Sequence, residues 1–171
     1  MLKMSLESIP VSSFMTRNIK METENQNIHA VCKAMNENNI GSIIIVALGN
    51  SIKPVGIITE RDIVRIIGKL NPALLHVPIR DLMSKPLITL SPDSTIRDAL
   101  QTMQQKNIRR IPIVDRETVV GIITDKDLFH AILKNEISLD NLAGNAATSE
   151  GHKLVFEQCK DYFFDDMLQK R

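Results

Sequence analysis

Two threonine–aspartate pairs carry the chemistry this chain can offer. Thr59 and Asp62 stand three residues apart in GIITERD, and Thr124 and Asp127 stand three apart in GIITDKD. Both phrases put a basic residue, Arg61 or Lys126, directly before the acid. At a helix start, a threonine N-cap and an aspartate three residues on form a reciprocal capping box. The same helix start has unsatisfied N–H groups and partial positive charge, which suit a phosphate. The threonine hydroxyl can donate to a phosphate oxygen, and Arg61 or Lys126 can add charge. A carboxylate beside a phosphate repels it, so the aspartate serves better as an acceptor for ribose hydroxyls, one on each oxygen. Helix cap and nucleoside-phosphate grip use the same residues, and spacing alone leaves both open.

Other chemistries find less support. No paired acids face one another across a cleft, no histidine has an evident nucleophile partner, and no G-x-x-x-x-G-K-[ST] loop is present, so an enzyme is not expected. His29, His76, His130 and His152 read as surface or packing residues. His29 and Cys32 can share a helix face, but no second ligand pair has metal spacing. The net charge of +1 gives no general drive toward nucleic acid or anionic membrane. The N-terminus lacks the apolar core of a signal peptide, and the richest apolar run, 43–48, is far short of a membrane span. A cytoplasmic protein with Cys32 and Cys159 as free thiols is expected. With 171 residues, 43% hydrophobic and only 4% aromatic, the core must be aliphatic.

The elements that position the two phrases are themselves repeated. Phe14-Met15-Thr16 lies over Leu82-Met83-Ser84, Ile28 over Ile96, Met35 over Met103, Asn39-Ile40 over Asn107-Ile108, and Ile45-Val46 over Ile113-Val114. The register then shortens by three and lays Gly56-Ile57-Ile58-Thr59 over Gly121-Ile122-Ile123-Thr124. The change falls in a loop, where length is tolerated. Each copy reads as strand, helix, strand, strand, helix. In the first, an extended segment at 19–22 precedes a helix over Ile28–Asn38, the buried strand SIIIVAL, a turn at Gly49-Asn50-Ser51, the strand VGIIT, and a helix over Glu60–Gly68. The second reads as the strand LITL, a helix over 95–106 capped by Asp93 or Ser94, the strand RIPIV, a turn at 115–117, VVGIIT, and a helix from Asp125 to Leu133. Each copy alone buries little apolar area, so the two are expected to share one core.

This doubled pattern, ending each time in G-I-I-T-x-[RK]-D, resembles the CBS domain, and two in tandem resemble a CBS pair, or Bateman module. The resemblance implies an α+β, sandwich-like fold: a pseudo-two-fold duplicated β-α-β-β-α pair, with repeats at 8–70 and 76–134. It implies a regulatory module that binds an adenosine-containing ligand in clefts between the repeats. AMP or ADP is expected before ATP, with S-adenosylmethionine also a candidate, and no cofactor is required. A homodimer is implied, acting on a client enzyme or transporter and signalling through a packing shift. The resemblance gives Thr59, Asp62, Thr124 and Asp127 the phosphate and ribose roles. By the same analogy Ile57 and Ile122 wall the adenine pocket. The base lies against the extended segment of the opposite repeat, at Lys20 and Met21 for the Asp127 cleft and at Thr89 for the Asp62 cleft.

The two clefts are not expected to be equivalent. The second copy has Arg109-Arg110 where the first has Gly41-Ser42. Adjacent side chains of an extended segment face opposite ways, so one arginine of the pair faces a given cleft. By the resemblance, Arg109 or Arg110 holds phosphate beside Thr124 and Asp127. The cleft with Gly41 binds a less charged ligand, binds weakly, or stays empty. The alternative function is a ligand-independent interaction or dimerisation scaffold, in which the repeated phrases are only caps.

Beyond the repeats, 138–171 reads as a polar linker and an amphipathic helix. Phe156, Cys159, Phe163 and Met167 form one stripe along it. That stripe packs on its own module, on a second subunit, or on a client.

Overall fold

The computed structural model describes residues 9–48, 53–69 and 76–133. The Gly49-Asn50-Ser51 turn, Cys159, His152 and the helix expected toward the C-terminus lie outside these residues. The chain divides into two compact units whose membership departs from chain order. Among the described residues, one unit joins 9–17 to Thr89–Val114 and 120–133; the other joins 18–48, 53–69 and 76–88 to Asp115–Val119.

In the second of these units, β1 (Met21–Thr23) pairs in parallel with β2 (Ser42–Val46), and β2 pairs antiparallel with β3 (Pro54–Thr59). Helix α1 (Ile28–Asn38) connects the parallel strands, and α2 (Glu60–Gly68) follows β3 directly. Isoleucines fill β2 because a strand buried on both faces favours β-branched residues throughout; Ile43, Ile44 and Ile45 are each almost wholly buried. Ile28, Val31 and Met35 of α1 pack with Ile43, Ile45, Ile58 and Ile66 and with Ile79 and Met83, which come from the start of the second repeat.

The other unit repeats the plan around α3 (Ile96–Lys106), β4 (Arg110–Asp115), β5 (Thr118–Thr124) and α4 (Asp125–Leu133). Its cluster unites Ile96, Leu100, Met103, Ile111, Ile113, Ile123 and Leu128 with Ile9, Val11 and Met15 from the start of the described chain. Each unit has its own buried aliphatic cluster.

The exchanged segments are held by backbone bonds. Thr16 and Ile122 donate to each other's carbonyls at 2.8 and 2.9 Å, and Ser84 and Ile57 do the same at 2.8 and 3.2 Å. Met15 and Met83 then lie over Gly121 and Gly56, where any Cβ would collide with the methionine side chain. That close approach explains why both strands carry glycine at this place.

Two further local expectations are corrected. The LITL strand of the second copy contracts to one parallel bridge between Leu90 and Ile113. Pro92, two residues after Leu90, has no N–H to extend the pairing. Helix α3 is capped by Thr95, not by Asp93 or Ser94, because Asp98 completes a capping box with Thr95. The matched asparagines Asn39 and Asn107 end α1 and α3 in left-handed conformation, φ 51° each, which asparagine tolerates better than most residues. At the β4–β5 turn, Arg116 and Glu117 also have positive φ, 45° and 71°, matching the two-residue hairpin turn that favours Asn-Gly.

Gly56→Ala and Gly121→Ala are each expected to destabilise the protein by about 1–3 kcal/mol in urea unfolding. Gly68→Ala, whose Cβ meets nothing within 4 Å, should leave the midpoint unchanged or raise it. Glu117→Gly should raise stability by about 1 kcal/mol, less the small worth of its exposed pairing with Lys53.

Candidate functional site

Both threonine–aspartate phrases fold as capping boxes. At α2, the Thr59 backbone N–H and hydroxyl both donate to Asp62 Oδ2, at 2.9 and 2.6 Å, and the Asp62 N–H returns to Thr59 Oγ1 at 3.3 Å. At α4 the bonds from Thr124 to Asp127 Oδ2 are 2.8 and 2.7 Å, and the returning bond is 3.2 Å. Each threonine proton is thus already given to its aspartate. In this arrangement the hydroxyl does not point at a ligand, and at α4 the N–H groups of Thr124, Asp125, Lys126 and Asp127 all have acceptors within the chain.

The phrase occurs a third time. Thr95-Ile96-Arg97-Asp98 forms the same box at α3, with bonds of 2.8, 2.8 and 3.1 Å. Capping is therefore the common role of T-x-[RK]-D in this chain. What separates Thr59 and Thr124 from Thr95 is the buried glycine–isoleucine strand that delivers them to the helix.

The two strand-borne boxes differ in the aspartate's other oxygen. Asp62 Oδ1 accepts a bond from Ser84 Oγ at 3.1 Å. Thr16 occupies the matching place in the other unit, paired by backbone to Ile122, yet its side chain makes no such bond. Among the described residues, no side chain donates to Asp127 Oδ1. Asp127 Oδ1 thus lacks the side-chain donor that Asp62 Oδ1 has in Ser84.

Arg109 donates through Nε to Asp125 Oδ2 at 2.8 Å, and its carbonyl accepts the Asp125 N–H at 3.1 Å. Arg110 opens β4 and is half-buried. In the first repeat, Gly41 accepts the equivalent backbone bond from Glu60 at 3.2 Å but has no side chain to pair. Sequence reasoning passed over Asp125 and Ser84. The signal for Asp125 was present: the residue after each threonine is acidic, and arginine replaces glycine only in the copy where that acid is aspartate. For Ser84, its alignment with Thr16 placed it in a repeated segment, but nothing local linked it to Asp62.

Arg61 and Lys126 are exposed on their helices, as are Lys20, Met21 and Thr89 on their segments. Lys20 and Met21 belong to the unit that holds Thr59 and Asp62, and Thr89 to the unit that holds Thr124 and Asp127. Ile57 and Ile122 are half-buried. A polar depression of about 420 Å³, lined by Asn25, Asn27, His76, Pro78 and Arg80, contains none of these residues. His29 is exposed, and burial pushes the Cys32 thiol up, away from the thiolate a metal ion prefers. No helix among the described residues is long and apolar enough to cross a membrane.

Thr59→Ala and Thr124→Ala should each cost about 0.5–2 kcal/mol in thermal or urea unfolding, with Thr95→Ala costing the same. An equal loss at all three positions, read by the same assay, is the signature of a shared cap.

The family model of the CBS domain matches residues 11–69 and again 79–134. CBS domain-containing protein YhcV of Bacillus subtilis is 33% identical over 146 residues, which cover 85% of this chain and 97% of that protein. An uncharacterized protein of Methanopyrus kandleri is 34% identical over 124 residues, 72% of this chain. The chain spans 62% of that relative and 32% of another, from Methanocaldococcus jannaschii. Among solved structures, a CBS domain protein of Pyrobaculum aerophilum complexed with AMP is 27% identical, with a TM-score of 0.67 over 75% of this chain and 98% of that one. The CBS domain pair of protein MJ0100, complexed with 5′-methylthioadenosine and S-adenosyl-L-methionine, is 26% identical, with a TM-score of 0.66 over 74% and 97%.

Proposed function

Because the chain belongs to the CBS domain family and carries the domain twice, we propose that it is a regulatory sensor of an adenine nucleotide, AMP or ADP before ATP. The principal site is the start of α4, at Thr124 and Asp127. The observation that carries this reading is the open Oδ1 of Asp127, set against the Ser84-bound Oδ1 of Asp62. A ribose hydroxyl can donate to a carboxylate, and Asp127 offers an acceptor oxygen without breaking its cap. Arg109 or Arg110, nearby in sequence, serves the 5′-phosphate. The two related structures support the class of ligand: AMP, 5′-methylthioadenosine and S-adenosyl-L-methionine share an adenosine and differ at the 5′ position.

The sensor is a regulator and not an enzyme. It passes its signal to a client enzyme or transporter by a packing shift, within a homodimer. Such a shift needs a ligand that binds two packings with different affinity.

A second reading has its own observation. The third capping box, at Thr95 and Asp98, shows that T-x-[RK]-D can serve a helix with no strand-borne site. A ligand-free scaffold needs nothing more from the other two.

Thermal unfolding with AMP, ADP, ATP, S-adenosylmethionine and adenosine separates the readings. Ligand at one hundred times Kd should stabilise by about 2.7 kcal/mol, with AMP or ADP giving the largest shift. Asp127→Ala should abolish the shift in a protein that stays folded, while Asp62→Ala should reduce it little. No shift with any compound favours the scaffold, and binding that survives Asp127→Ala sinks the ribose assignment.

A further inference from the structure

We infer that Asp125 is a positioning residue that makes the α4 site selective for a phosphate-bearing nucleoside, by fixing the orientation of Arg109. This rests on the reading of that site given above. Asp125 is the one buried charged residue among those described, 2% exposed. A carboxylate taken out of water costs several kcal/mol unless it is paired and hydrogen-bonded. Both of its oxygens are engaged: Oδ2 accepts from Arg109 Nε at 2.8 Å, and Oδ1 from the Lys126 N–H at 2.9 Å.

Helix capping does not account for this burial. Thr124 and Asp127 already cap α4. Favourable interaction with the helix dipole does not account for it either, because Glu60 stands at the same place in α2 and is exposed. What distinguishes the second copy is the arginine. Arg109 is held at both ends: its carbonyl accepts the Asp125 N–H, and its Nε donates to the Asp125 carboxylate. A guanidinium is planar, so one bond at Nε sets the direction of its remaining donors. The side chain is still 44% exposed while its base is fixed.

The pair is close to neutral overall. Its service to an anionic ligand is therefore direction and not net charge, and the two effects predict opposite outcomes. Asp125→Asn removes a negative charge beside the site. If charge alone governed binding, AMP would bind more tightly. If Asp125 orients Arg109, AMP binds more weakly and adenosine, which has no phosphate, is unaffected.

Calorimetric titration of the full chain with AMP and with adenosine decides between them. Asp125→Asn should lower AMP affinity about tenfold, the scale of one charge-assisted hydrogen bond, and leave adenosine within about twofold. Arg109→Lys keeps the charge but not the Nε donor, and should show the same loss; it carries the test if Asp125→Asn does not fold. Glu60→Gln should change neither affinity. AMP affinity that is unchanged or raised in Asp125→Asn, or an equal loss of adenosine, overturns the positioning role alone. A wild-type protein that binds neither compound overturns the nucleotide site and this role together.

Discussion

The structure turns on a single arrangement, a threonine at the end of a buried strand locked to an aspartate one turn into the next helix. That lock fixes where each strand stops and how its helix departs. It satisfies helix-start donors that would otherwise be left without partners. It also rations the carboxylate. Oδ2 accepts two bonds from the threonine in both strand-borne boxes, so any ligand chemistry is confined to Oδ1. A structural device and a binding device thus share one side chain, divided by atom.

The exchanged segments decide whether that remaining atom is open. Each glycine–isoleucine strand is paired by backbone to a Met-Ser or Met-Thr segment near the start of the other repeat. The pairing places Ser84 within reach of Asp62 in one unit, while Thr16 makes no corresponding bond to Asp127 in the other. Duplication therefore supplied two equal frames, and differences at the packed-in segments made them unequal. The glycines follow from the same pairing, since a methionine lies where any Cβ would project.

A second inequality sits at the base of the helices. The backbone bond from the first helical residue to the residue before the central strand is kept in both copies, Glu60 to Gly41 and Asp125 to Arg109. Only the second copy adds a side-chain pair to it. The acid there is buried and the base is half outside, so the pair spans the boundary between core and solvent.

The order of elements was legible in the residues because its causes are local. The 3.6-residue apolar spacing places α1 over Ile28–Asn38, and the β-branched run defines β2; the matched asparagines stop α1 and α3 where left-handed backbone is needed. The threonine–aspartate boxes were legible for the same reason, being bonds between residues three apart. Tertiary structure alone decided the rest. Ser84 reaches Asp62 across 22 positions and Arg109 reaches Asp125 across 16. The LITL strand shrank to one bridge near Pro92, and the opening segment joined the other repeat's unit. Such contacts depend on how the chain returns to itself, and no window of neighbouring residues carries that information.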